Sequence, residues 1–149
     1  MSAKAEKYLR MAHSEMERND ADLKKVFNIL NKSADLGNPE AIYALGTWYL
    51  HGRFVNKNTR EAVRYLKLSA KLDYPDALFD LAICYELGEG IARNTGKAVE
   101  CYLKAALLGE INSLYELGRC YYYGIGIEKN TRIAKIWLQR ASQLKAAHD

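Results

Sequence analysis

Residues 41–76 read AIYALGTWYLHGRFVNKNTREAVRYLKLSAKLDYPD, and residues 77–112 repeat the pattern as ALFDLAICYELGEGIARNTGKAVECYLKAALLGEIN. Residues 113–148, SLYELGRCYYYGIGIEKNTRIAKIWLQRASQLKAAH, hold the same 36-residue register without a gap. Leu45, Leu81 and Leu117 coincide, as do Tyr49, Tyr85 and Tyr121, Gly52, Gly88 and Gly124, and Ala62, Ala98 and Ala134. The pairs Asn58-Thr59, Asn94-Thr95 and Asn130-Thr131 fall in one column too. Self-similarity at a fixed period of this length marks a repeat architecture, in which each supersecondary unit buries its apolar face only against its neighbours.

One period earlier, residues 5–40 form a weaker unit. Its second half matches through Val26, Ile29, Leu30, Ser33 and Ala34, and then Gly37-Asn38-Pro39 stands opposite Asp73-Tyr74-Pro75. Its first half keeps Leu9 but has His13 in the tyrosine column and Met16 in place of the first loop glycine. A terminal repeat with one neighbour is expected to be atypical and more polar, so this unit reads as a cap. His13, in the tyrosine column, is expected to be partly buried.

Within each unit, apolar or small residues fall at the first, fifth, ninth and twelfth places, which is one face of a helix. Gly46, Ala82 and Gly118 are small enough to let a neighbouring helix come close. Gly52, Gly88 and Gly124 end that helix, because glycine accepts the left-handed C-terminal conformation. Asn58, Asn94 and Asn130 stand where the N-cap acceptor of a second helix is needed. Glu61, three residues after Asn58, would complete a reciprocal capping box in that unit. The second helix buries Ala62, Tyr65, Leu66 and Ser69 in one unit, and Ala98, Cys101, Tyr102 and Ala105 in the next.

The pattern A-x-x-x-L-G-x-x-Y-x-x-G-x-G, a polar loop, and a second helix with small residues near its end resembles the Sel-one-like repeat, a relative of the tetratricopeptide repeat. The resemblance covers residues 41–148 strongly and 5–40 weakly. Phe54 in place of the second loop glycine and Ala82 in place of the first-helix glycine depart from it. It implies an all-α fold: a right-handed α-solenoid of about four stacked helix-turn-helix repeats, residues 1–149 forming one repeat domain with units 5–40, 41–76, 77–112 and 113–148. It also implies a protein that presents a surface to partners and has no shared catalytic centre.

Composition agrees with a packed, mixed-charge protein. Hydrophobic residues make up 49% of the 149 and charged residues 27%, enough for a core and too apolar for global disorder. The formal net charge is +4, with 22 basic and 18 acidic residues interspersed along the chain, which weighs against a nucleic-acid track. The first residues, MSAKAEKYLRMAHSEMERND, lack the apolar run of a signal peptide, and no window is long and apolar enough for a membrane span. A cytoplasmic protein is therefore expected.

No constellation of catalytic or ligating residues emerges. His13, His51 and His148 are scattered, without second ligands at helical spacing. Gly88-Glu89-Gly90 and Gly124-Ile125-Gly126 follow a helix and recur with the repeat, so they read as loops rather than phosphate cradles. Cys84, Cys101 and Cys120 form no C-x-x-C pair, and Cys84 and Cys120 share one column, which suits core packing. Lys57, Arg93 and Lys129 recur before the second helix, but acidic residues interrupt the ridge they make. No cofactor, metal or small-molecule ligand is expected, and no enzymatic activity.

A partner would meet the side chains that packing leaves unassigned. The fourth, seventh and eleventh places of each first helix lie roughly 120° from the core columns. They vary from unit to unit and include Thr47 and His51, then Asp80, Ile83 and Leu87, then Glu116, Arg119 and Tyr123. An apolar centre with charged flanks is the usual anatomy of a protein-binding patch. These eight residues are the candidate partner site, although Ile83 and Leu87 could equally pack against the adjacent unit. The expected partner is a protein or peptide held in a concave groove. A small neutralising protein that blocks a toxin or enzyme is one alternative, and a nucleic-acid-binding solenoid is another.

Overall fold

The computed structural model describes residues 2–148, and these form helices joined by short loops, with no strand among the described residues. The backbone divides between Tyr74 and Pro75 into two compact units. The first holds α1 (Ala3–Met16), α2 (Leu23–Asp35), α3 (Pro39–His51) and α4 (Thr59–Lys71). The second holds α5 (Pro75–Leu87), α6 (Thr95–Leu107), α7 (Ile111–Tyr123) and α8 (Thr131–His148). In each unit, helices consecutive in sequence form the main packing pairs.

The predicted signals act at the helix ends. Gly52 and Gly124 close α3 and α7 at φ 68° and 73°, and Gly88 follows α5 at φ 73°. Each loop asparagine then works twice. Asn58, Asn94 and Asn130 donate their backbone N–H to Tyr49, Tyr85 and Tyr121 carbonyls at 2.9, 2.8 and 2.8 Å. Their side-chain oxygens accept the N–H of Glu61, Lys97 and Ile133 at 3.0 Å. The capping box at Asn58 is only half formed. Because the Asn58 N–H is already taken by Tyr49, the Glu61 carboxylate turns to Arg64 instead, at 2.6 Å.

Two side chains adopt a positive φ where sister units have glycine. Phe54 lies at φ 62°, beside Gly90 and Gly126 at 69° and 68° in the same column, so the loop keeps its course. The Phe54 ring rests on Phe27 and Trp48, centroids 5.4 and 6.2 Å away, and this packing offsets the cost of a left-handed non-glycine residue. Asp73 likewise adopts φ 59° in the column of Gly37 and Gly109, a conformation that Asp tolerates better than most residues.

Each unit has its own core. Leu9, Val26, Leu30, Ala41, Leu45 and Trp48 are buried together in the first, and Val99, Tyr102, Leu114, Leu117, Cys120 and Ala141 in the second. The buried face of the first helices is broader than the four predicted columns. Ile42, Leu78 and Leu114 at the second place, and Trp48, Cys84 and Cys120 at the eighth, are also buried. The small residues do permit close approach: a Cβ on Gly46 would lie 3.2 Å from Tyr65 Cβ, and one on Gly118 would lie 2.7 Å from Leu138 Cδ2. Ser33 and Ser69 tie each hairpin of the first unit shut, donating to the Ala5 and Pro39 carbonyls at 2.7 and 2.8 Å. His13 is exposed rather than partly buried, and its imidazole lies 3.4 Å from Glu40.

Candidate partner-binding surface

In the second unit, α5 and α7 are joined directly by charge. Arg119 on α7 donates from Nη2 to both carboxylate oxygens of Glu86 on α5, at 2.7 and 2.8 Å. Its Nε donates to Glu116 one turn earlier, at 2.7 Å. From below, Tyr102 Oη donates to the same Glu86 at 3.1 Å. The Glu86 side chain is only 16% exposed, so this is a half-buried network in which one guanidinium bridges two carboxylates. Burial works against the Arg119 charge, but the hydrogen bonds it donates to Glu86 and Glu116 outweigh it and hold the guanidinium pKa above its usual value. Burial, then the negative charge on Glu86, raises the Tyr102 hydroxyl pKa as well.

Around this network the remaining stripe residues differ in exposure. Asp80 and Ile83 are half-buried, and Ile83 packs against the core of the second unit. Leu87 and Tyr123 stand clear, 61% and 67% exposed, at the last helical residue of α5 and α7. Tyr122 adds a second exposed ring, edge-on to Tyr123 with centroids 4.9 Å apart. The arrangement is two exposed apolar ends flanking a fixed ionic network. It offers contact area and a ready-ordered guanidinium.

In the first unit the stripe is less apolar. Thr47 is half-buried and spends its hydroxyl on the Ala44 carbonyl at 2.7 Å, while His51 is exposed in the last turn of α3. Glu86, at the tenth place, was not marked by the sequence, because the tenth places read Leu50, Glu86 and Tyr122 and carry no common signal. Among the described residues no group of three His, Cys, Asp or Glu side chains is placed to hold a metal ion. Cys84 and Cys120 are buried, and burial pushes each thiol pKa up to about 11.

A helix-pair array with capped hairpins, repeating every 36 residues, defines a class of repeat protein. The family model described as Sel1 repeat matches residues 39–74, 75–110 and 111–145, and the chain belongs to that family. Each match begins two residues before the blocks at 41, 77 and 113, where Pro39, Pro75 and Ile111 open the first helices. Comparison with curated proteins gives no match.

Solved structures agree on the fold. A protective antigen of uropathogenic Escherichia coli, displaying an SLR fold, superposes with a TM-score of 0.89 at 25% identity over 93% of this chain and 30% of that one. A Sel1 repeat protein from Oxalobacter formigenes gives a TM-score of 0.88 at 25% identity over 94% of this chain and 58% of that one. An immunity protein from Pseudomonas aeruginosa shares the fold with a TM-score of 0.67 at 22% identity, over 97% and 54% of the two chains. The chain thus spans between about a third and three fifths of these structures' lengths. The Sel1 repeat fold is typical of protein–protein interaction modules, and proteins built from it are generally non-enzymatic scaffolds or adaptors. No helix among the described residues is long and apolar enough to cross a membrane.

Proposed function

We propose that the chain is an adaptor that binds a partner protein, and that its second unit does so through the stripe Asp80, Ile83, Leu87, Glu116, Arg119 and Tyr123. The observation that carries this reading is the exposure of Leu87 and Tyr123, at 61% and 67%, in the same place of two first helices. Large apolar groups gain nothing from water, and Tyr and Arg are the types that dominate binding hot spots. Arg119 enters such an interface already ordered by Glu86 and Glu116, so less side-chain freedom is lost when a partner docks. Thr47 and His51 are the corresponding contacts of the first unit. The free thiols of Cys84, Cys101 and Cys120 support a cytoplasmic, reducing setting.

The test is Leu87→Ala with Tyr123→Ala. Cross-linked partners captured from native extract by the parent chain should be lost from the variant, while its melting temperature stays within a degree or two, as for exposed positions. Undiminished capture would remove this stripe as the partner site.

A further inference from the structure

The first unit carries a feature that the stripe of the second unit does not account for. Two open depressions, of about 350 and 420 Å³, adjoin on the α1–α2 hairpin and share Met11, Lys25 and Ile29. The helical period explains them. Lys7, Met11, Ser14 and Arg18 rise on one side at spacings of four, three and four, and Lys25, Ile29 and Lys32 face them from α2. In the second unit, the seventh place of α7 is Arg119, which reaches back to α5. In α1 the same place is Met11, 42% exposed, and it opens onto the trough.

The trough is an apolar floor inside a basic wall. Six cations line it against two acids, Glu15 and Asp22, an excess of four that equals the formal charge of the whole chain, +4. The two acids are already engaged. Glu15 accepts the Asp22 N–H at 3.2 Å and lies 3.3 Å from Lys25 and 3.5 Å from Arg18, while Asp22 caps α2 by accepting the Lys25 N–H at 3.2 Å. Among the described residues, Lys7, Arg10 and Lys24 have no acidic partner within salt-bridge distance, and Lys32 lies over the Tyr8 ring at 5.6 Å. The positive field over Met11 and Ile29 is therefore uncompensated.

We propose that this trough, on α1 and α2 of the first unit, is a second binding surface and that it takes an acidic peptide carrying aliphatic anchors. The unpaired cations supply the charge complement. Met11 is unbranched and polarizable, a side chain that adapts to an inserted aliphatic group. The floor suits a peptide better than nucleic acid. Single strands are held by stacking bases on open aromatic faces; among the described residues no aromatic side chain lines either depression, and the Tyr8 ring is covered by Lys32. It suits a peptide better than a lipid surface too, since Ile29 is 7% exposed and Met11 42%, which leaves little apolar surface to enter an acyl layer.

The experiment uses the full chain and a fluorescein-labelled twelve-residue peptide of glutamates with two leucines four positions apart, read by fluorescence anisotropy. Saturable binding is expected at low salt, weakening about tenfold or more between roughly 50 and 500 mM NaCl as screening grows. Lys7→Glu with Arg10→Glu should weaken it by at least about tenfold, and so should replacing both leucines by serine. Lys67→Glu on the exposed face of α4 should leave it unchanged. If the double reversal lost helicity, Lys24→Glu, at an exposed position, would serve in its place. The proposal is overturned by any of three results: no saturable binding, equal affinity for the leucine-free peptide, or tighter binding to a single-stranded oligonucleotide of equal charge or to phosphatidylserine vesicles.

Discussion

Gly126 makes the sharpest demand on the backbone, and Gly126→Ala should be among the most damaging single-methyl changes in the chain. Its φ is 68°, where an L side chain meets the following carbonyl, at a cost of about 1–2 kcal/mol. The new Cβ would also fall on the Thr95 carbonyl group and 3.0 Å from the Gly96 nitrogen, at the start of α6. Backbone cannot swing aside as a side chain can, so a further cost of about 1–3 kcal/mol applies, as in an overpacked core. The total is about 2–5 kcal/mol. For a chain of 149 residues each kcal/mol lowers the melting temperature by about 2–4 °C, so a fall of about 4–20 °C is expected. Gly88→Ala is the internal control. It shares a positive φ, 73°, but its Cβ would meet Arg93 with the Cβ at 3.2 Å and the backbone N at an ordinary 3.5 Å, leaving mainly the conformational cost of about 1–2 kcal/mol. Thermal melts followed at the helical circular dichroism band compare the two. If both variants melted together, the close contact between Gly126 and α6 would carry no weight and the reasoning would fail.

Three further outcomes are expected. Arg119→Ala leaves Glu86 and Tyr102 without their cation and should lower stability by about 1–3 kcal/mol in urea titration; a variant as stable as the parent would strip the network of structural weight. The Glu15 carboxyl is held below its usual pKa by the Asp22 N–H and by Lys25 and Arg18, so the native state binds that proton less tightly than the unfolded chain. Its stabilisation is complete above the unfolded value of about 4.3 and is lost as pH falls through the lower native value, so Glu15→Gln should melt below the parent at pH 7 and the gap should close toward pH 3. Burial pushes the pKa of Cys84, Cys101 and Cys120 each up to about 11, so all three thiols should label slowly in the native protein at pH 8 and at once in denaturant; a rapidly labelled thiol would contradict this.

The fold was legible because its signals recur. A glycine or an asparagine that returns every 36 residues fixes a helix end whatever surrounds it, and the structure places Gly52, Gly88, Gly124 and the three loop asparagines where that logic requires. Phe54 shows the limit of reading by residue type. A phenylalanine carries no sign of φ 62°, and only its contacts with Phe27 and Trp48 show why it is tolerated there. The width of the core was partly hidden because α3 and α5 are apolar almost all round, which blurs the periodicity of a buried face. The candidate site was legible as an angle around a helix and no further. Spacing could pair Leu87 with Tyr123, but it could not show that Glu86 and Glu116 hold Arg119, because the facing side chain belongs to a column with no repeating identity. His13 was misplaced for a related reason: column membership predicts burial only where a neighbouring element covers the column, and here Glu40 meets the imidazole at the surface instead.

The loop asparagines have a kinetic consequence. Each one ties the carbonyl of the preceding helix to the first turn of the next through a single residue, so a hairpin needs only a few loop residues ordered before its two helices can meet. With the main pairings in each unit joining helices consecutive in sequence, mean contact separation stays low, and chains of that kind refold in microseconds to milliseconds. Replacing Asn94 by alanine keeps the backbone bond to the Tyr85 carbonyl but removes the side-chain cap on the Lys97 N–H, so it should lower stability by about 1 kcal/mol and slow refolding in stopped-flow measurements if the capped turn forms before the helices pack.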